Sequence, residues 1–222
     1  MRKASMSDPT MTPLVLAGGH STRFGRENKL LARHDGRSLL DHVVGTVRRA
    51  AAGRPVVAIQ CPPQRPEIER GLTRPRDVRF VVDDSAFEGP VAGIFGGLEE
   101  VGTSWAFVCA GDMPLLRARA VRYLRAERPE RQVDAIVPVL DGTEEPLHAL
   151  YRRRAVESIR ADTAPDAGAH ALLRKMDDVV RVAVSDAPAL LEESLTNVNT
   201  QHQLTMLEAT DADYATEVSI DD

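Results

Sequence analysis

What most constrains this chain is a set of short apolar runs, each stopping at residues that break regular structure. Residues 14–17 stop at the Gly18–Gly19 pair, 55–61 at Pro62–Pro63, 78–82 at Asp83–Asp84, and 105–110 at Gly111–Asp112. Short, continuously apolar runs suit strands buried on both faces, as in a parallel sheet. Helical signals lie between them. Ser38 is a good N-cap for a helix over 39–49, where Leu39, Leu40, Val43, Val44 and Val47 recur at helical spacing, and Gly53 ends it. A short helix over 67–72 follows the second run. Pro90 suits the first turn of another helix, running to about residue 100. Gly93, Gly96 and Gly97 make that helix intrinsically poor, so its small face implies close approach by another backbone or by a ligand.

Strands alternating with helices predict a doubly wound α/β sheet. Ligands in such sheets bind beyond the carboxyl ends of strands, and Gly18, Asp84 and Asp112 each sit just past one. Further on, the pattern predicts a helix over 116–128, a strand over 133–139, a turn at Asp141–Gly142 and an extended segment over 145–151. Helices over 152–159 and 168–175, a strand over 179–184 and a last helix over 201–208 complete it. After the first glycine loop, 29–33 reads as a short extended piece leading into a turn at 34–37. A length of 222 residues suits one such domain. The expected limits are a frayed N-terminus over 1–11, a single domain over 12–208 and an acidic tail over 209–222.

The first loop carries the densest chemistry. Gly18, Gly19 and Gly25 are interleaved with Ser21, Thr22, Arg23 and Lys29. Bare N–H groups in a glycine loop form an anion-binding concavity, and Arg23 and Lys29 add positive charge suited to phosphates. The loop lacks both the Gly-Lys-Ser/Thr of a P-loop and the G-x-G-x-x-G of dinucleotide-binding oxidoreductases. Lysine occurs only at Lys3, Lys29 and Lys175. Asp112 has two readings: a carboxylate that holds Mg²⁺ against a triphosphate, or the N-cap of the following helix. Asp84 likewise is either a contact to base, ribose or a second metal, or a turn residue, with Asp83 as its neighbouring competitor.

Composition excludes several classes. A net charge of −5 argues against a general nucleic-acid binder. No apolar run is long enough to span a membrane, and the N-terminus lacks a signal-peptide core, so the cytoplasm is the expected location. The two cysteines, Cys61 and Cys109, form no metal or disulfide pattern.

Four motifs carry a family resemblance: L-A-G-G-x-S-x-R-F-G-x-x-x-K over 16–29, G-P-V-A-G over 89–93, D-M-P-L over 112–115, and P-L-H-A-L-Y over 146–151. Together they resemble the molybdenum cofactor guanylyltransferases, the MobA type of nucleotidyltransferase, over about residues 12–208. The resemblance implies a Rossmann-like three-layer sandwich with a mostly parallel central sheet, of the nucleotide-diphospho-sugar transferase type. It implies transfer of GMP from GTP to the terminal phosphate of molybdopterin, with Mg²⁺ as cofactor. Leu16, Ala17, Gly18, Gly19, Lys29, Gln60, Asp84 and Asp112 would bind GTP, and Lys29, Arg23 and Asp112 would be catalytic, with Asp112 holding the metal. His148, Asn197 and Asn199 would lie on the acceptor side. A cofactor-donating protein or an acceptor molybdoenzyme are the partners it suggests, with no nucleic acid and no membrane. Cytidylyl relatives tend to read L-A-A-G, so Gly18 favours guanine. The chain departs from the family at Asn28, usually Asp, and at 201–203, where the family usually has Pro then acidic residues. The alternatives are a cytidylyl- or other nucleotidyltransferase and a non-catalytic GTP-binding delivery partner.

Overall fold

The computed structural model describes residues 11–18, 28–51, 53–198, 200 and 202–206. The chain begins with β1 (Met11–Leu16), then a tiny hairpin of β2 (Arg33–His34) and β3 (Arg37–Ser38), and α1 (Leu39–Ala50). Next come β4 (Val56–Ile59), α2 (Arg65–Gly71), β5 (Arg79–Val82), α3 (Gly89–Glu99), β6 (Trp105–Ala110) and α4 (Ala118–Ala126). The second half holds β7 (Ala135–Leu140), β8 (Thr143–Glu144), β9 (His148–Arg152), α5 (Arg153–Ile159), α6 (Ala169–Lys175), β10 (Val179–Ala183) and α7 (Ala189–Ser194).

The central sheet has the order β10-β7-β9-β6-β1-β4-β5, with β8 attached to β7. β1 lies between β6 and β4, parallel to both, in the register Leu14↔Val56 and Val15↔Cys109. β9 is antiparallel to both its neighbours, β6 and β7. The mostly parallel sheet therefore contains one long reversed strand. Because β1 is central, its side chains are buried on both faces. Val15 joins a core with Val43 and Val47 of α1 and Leu124 of α4, while Leu14 and Leu16 join a core with Ile94 and Leu98 of α3. Two cores either side of one sheet make three layers.

The local signals explain most of the elements. Ser38 caps α1, its Oγ accepting from Asp41 N at 3.0 Å and donating to Gly71 O at 2.6 Å. Asp35 and Gly36 take positive φ values of 48° and 73° in the turn that makes the β2–β3 hairpin. The glycines of α3 serve close packing against the sheet. A Cβ on Gly96 would stand 2.5 Å from Val82 O and 2.9 Å from Asp84 N, and one on Gly97 would meet Leu14.

Three expectations need correction. Residues 29–33 are extended only at their end, where Arg33 enters β2: Lys29–Leu31 is a single 3-10 turn, because Asn28 Oδ1 accepts from Leu30 N (3.1 Å) and caps it. Met11 does not fray; it is 2% exposed and pairs with Trp105, since β1 is sandwiched between two strands from its first residue. The helix α7 had no counterpart in the sequence reading; Leu191 inserts into the core beside α4. The expectations for residues 1–10 and 209–222 lie outside the described residues. No helix among the described residues is long and apolar enough to cross a membrane.

Candidate active site

The carboxyl ends of β1, β5 and β6 open onto one pocket of about 720 Å³, within the usual range for small-ligand sites. Backbone bonds hold its floor. Ala17 N donates to Ala58 O (2.7 Å), Gly111 N to Leu16 O (3.0 Å) and Asp83 N to Ile59 O (2.8 Å). Gly111 fits because a Cβ there would lie 3.0 Å from Leu16 O. Leu16, Gly18, Lys29, Gln60, Asp84 and Asp112 all line the pocket. Gly19, Arg23 and Asn199 lie outside the described residues.

Asp112 follows β6 and is 7% exposed. Its Oδ2 contacts Lys29 Nζ directly, an ion pair spanning 83 residues of sequence. Its backbone oxygen accepts from Val198 N (3.0 Å), which brings Asn197 and Val198 against the site. Asn197 is half-buried there, with no hydrogen-bond partner for its Oδ1. The N-cap reading of Asp112 fails, because α4 starts only at Ala118 and its cap position is Arg117. Asn28 keeps the cap over Lys29, so its departure from the family pattern preserves the turn that aims the lysine.

The two adjacent aspartates are sorted by geometry. Asp84 is held from outside the pocket's centre: its Oδ1 accepts from Ala86 N (2.9 Å), and its Oδ2 pairs with Arg160, whose guanidinium lies over Phe87 and Phe95. Asp84 thus behaves as the turn residue. Asp83 points inward. A Cβ on Gly18 would come within 2.6 Å of Asp83 Oδ2, and one on Gly93 within 3.3 Å of Oδ1. Asp83 Oδ1 is buried without a hydrogen-bond partner. Burial raises this carboxyl from 3.8 to about 6. A buried acceptor without a donor, at a pocket wall between two glycines, is a group waiting for a ligand.

Sequence reasoning missed Gln64. Its Nε2 donates to Ala17 O (3.3 Å) and its Oε1 accepts from Gln60 N (2.9 Å), tying the start of the glycine loop to the exit of β4. The signal was a polar residue just after the Pro62–Pro63 break, with nothing local to reveal its partner 47 residues away.

His148 is a correction. It does not face the pocket but is fully buried, pairing in register with Cys109 and meeting the Phe107 ring edge-on at 5.2 Å. Neither ring nitrogen has a hydrogen-bond partner, and burial lowers its pKa to about 3. Strand alternation explains this: Leu147, one residue earlier, lines the pocket in its place and accepts from Ala110 N (3.1 Å).

Among the described residues, no three His, Cys, Asp or Glu side chains cluster. A divalent ion at Asp112 would therefore draw its other ligands from phosphate oxygens and water, the arrangement Mg²⁺ favours. The donor set fits such an ion, since Lys29 engages only Oδ2 of the carboxylate.

Known proteins show the same plan. A model of the MobA-like NTP transferase domain matches residues 13–180. A Methanosarcina acetivorans protein bearing the name "probable molybdenum cofactor guanylyltransferase" is 31% identical over 194 residues, 84% of this chain and 85% of that protein. A Mycobacterium marinum protein of the same name is 31% identical over 207 residues, 88% of this chain and 92% of its own length. Among solved structures, molybdopterin-guanine dinucleotide biosynthesis protein A from Archaeoglobus fulgidus superimposes with a TM-score of 0.73 at 23% identity, covering 91% of this chain and all of that one. With the match spanning β1 through the start of β10, this chain belongs to the MobA-like NTP transferase family.

Proposed function

We propose that the chain is a molybdenum cofactor guanylyltransferase, transferring GMP from GTP to the terminal phosphate of molybdopterin and releasing pyrophosphate. The observation that carries this reading is the meeting of Gly18, Asp83 and the Lys29–Asp112 pair in one pocket at the strand ends. The names of the relatives supply the acceptor. We take residues 12–208 as the catalytic unit, acting in the cytoplasm, where both substrates are available. A cofactor-donating protein or an acceptor molybdoenzyme belongs to the same proposal as a partner.

In this reaction an acceptor phosphate oxygen forms a bond to the α-phosphorus of GTP. The bond from that phosphorus to the oxygen bridging to the β-phosphate breaks, and the electron pair leaves with pyrophosphate. The nucleophile is already an anion at neutral pH, so catalysis is positioning and charge neutralisation. Lys29, Arg23 and the N–H groups of Gly18 and Gly19 would neutralise the phosphates. Asp112 and Lys29 are charge partners before substrate arrives. Nucleotide phosphates would give Lys29 new partners and leave Asp112 to hold Mg²⁺, which supplies Lewis-acid charge at the phosphates. Asp83, rather than Asp84, would accept from the N1–H and N2–H₂ donors of guanine. This assignment deepens the guanine preference that Gly18 suggests.

The test is pyrophosphate release from Mg-GTP and molybdopterin, comparing wild type with Asp112→Ala and Lys29→Ala. Removal of a group that stabilises transition-state charge should lower turnover by about 10²-fold or more, with the fold unchanged by circular dichroism. Near-normal turnover in Asp112→Ala would remove the basis for the metal role.

A further inference from the structure

The end of the sheet opposite the pocket carries a second concentration of charge that the proposed reaction does not use. Here the chain enters β6 through Gly102–Ser104 and leaves β9 at Arg152, running directly into Arg153 and Arg154 of α5. These six residues line a groove of about 420 Å³. At about 3.3 Å per residue, the length of β6 separates it from the Asp112 end by about 17 Å.

The groove is built, and its donors outnumber its acceptors. Arg152 lies over the Trp105 ring, 5.3 Å from the ring centre, and its Nη1 donates to Gln132 Oε1 at 2.9 Å. Arg154 donates to the same amide oxygen, so two guanidiniums share one neutral acceptor. Arg152 Nε is buried and has no hydrogen-bond partner. Arg153 has its own partners, Val101 O at 3.1 Å and Glu157 at 3.3 Å. On Arg152 two positive neighbours, Arg154 and Arg128, act against one negative, Asp134. Burial and then the neighbouring Arg154 pull the Arg152 guanidinium below its ordinary value, and Asp134 offsets them only in part. Ser104 presents an exposed side chain at the rim, and the space over Gly102 is open to 4 Å.

We propose that this groove binds a phosphate-class oxyanion, held by the forks of Arg152 and Arg154 and by the Ser104 hydroxyl. Guanidinium forks match tetrahedral oxyanions bidentately. Two forks and a hydroxyl offer more donors than the about four lone-pair sites of a carboxylate accept, and phosphate has both more acceptor sites and more negative charge. The site is independent of the pocket at Asp112, so it stands or falls apart from the reaction proposed there.

Trp105 is the single tryptophan of the chain and touches Arg152, so its fluorescence reports on this groove. The full-length protein is titrated with inorganic phosphate, pyrophosphate and glutamate at constant ionic strength set with chloride. The expected result is a saturable change in Trp105 emission, with phosphate or pyrophosphate half-saturating at least tenfold below glutamate. Arg154→Gln, an exposed position, should weaken it at least tenfold with unchanged circular dichroism, and Asp112→Ala should leave it intact. Tighter binding of pyrophosphate ties the groove to the product of the proposed reaction, and tighter binding of orthophosphate ties it to the free ion. A response that merely follows ionic strength, that glutamate matches, that survives Arg154→Gln, or that disappears in Asp112→Ala overturns the proposal.

Discussion

Asp83→Asn should make the protein more stable and a worse guanine binder at the same time. The substitution keeps shape and removes a charge. In the folded chain, burial raises the Asp83 carboxyl from 3.8 to about 6. Its charge therefore opposes folding above pH 6, the cost shrinks as pH falls through the interval, and it vanishes below 3.8. The rise corresponds to about 3 kcal/mol at neutral pH. The carboxylate is only half-buried, so solvent screening lowers the expected gain for Asn to about 1–2 kcal/mol. On the binding side, a hydrogen bond to a charged acceptor is worth about 1.5–3 kcal/mol. Asn, with one acceptor and one donor, loses at least one such bond to guanine. GTP affinity should fall about 10–100-fold, with CTP little changed. Urea denaturation from neutral to about pH 4 reads the first effect, and calorimetric titration with Mg-GTP and Mg-CTP the second. If Asp83→Asn brings no gain in stability at neutral pH, Asp83 is not a strained carboxylate. If GTP affinity holds, the base is read elsewhere.

Two further outcomes follow from packing. Gly96→Ala sets a Cβ 2.5 Å from the Val82 carbonyl, a backbone atom that cannot swing aside, so it should cost about 1–3 kcal/mol. Gly102→Ala meets nothing within 4 Å and serves as the neutral control in the same denaturation series. His148→Leu removes two unpartnered buried nitrogens and should be neutral or stabilising near pH 7. The histidine's value falls from 6.5 to about 3 on folding, so wild type loses stability below pH 6.5 at up to about 1.4 kcal/mol per pH unit. The leucine variant should shed that part of the acid sensitivity and keep its turnover; lost turnover would return His148 to the acceptor side.

The strand ends were legible because each coincided with a glycine, proline or aspartate break, and that rule alone pointed to Gly18 and Asp112. It did not choose between Asp83 and Asp84. That choice depends on Asp84 N donating to Ala92 O (2.9 Å) and on α3 pressing against the strand exit at Gly96, contacts no local pattern encodes. The same limit hid Gln64, whose role is a bond to Ala17. His148 misled because a motif match says a residue belongs to a segment, while strand alternation decides which face it takes. Residues 29–31 were read as extended, and a single Asn28 cap turns them into a 3-10 turn.

The reversed direction of β9 has a consequence for how such chains diversify. A parallel strand would present its outgoing end to the pocket, committed to a crossover helix. β9 instead presents its incoming end, so after the β7–β8 hairpin the chain reaches that rim through the short connection from β8 that carries Leu147. That connection is fastened by Glu145 N to Pro138 O (2.9 Å) and Ala110 N to Leu147 O (3.1 Å), and no strand pairing of β1, β4 or β5 passes through it. Lengthening or exchanging it reshapes one wall beside Asp112 and leaves the nucleotide side intact. The fold thus separates a fixed frame from a replaceable insert, and one wall of the pocket can be changed by editing a few residues of a single connection.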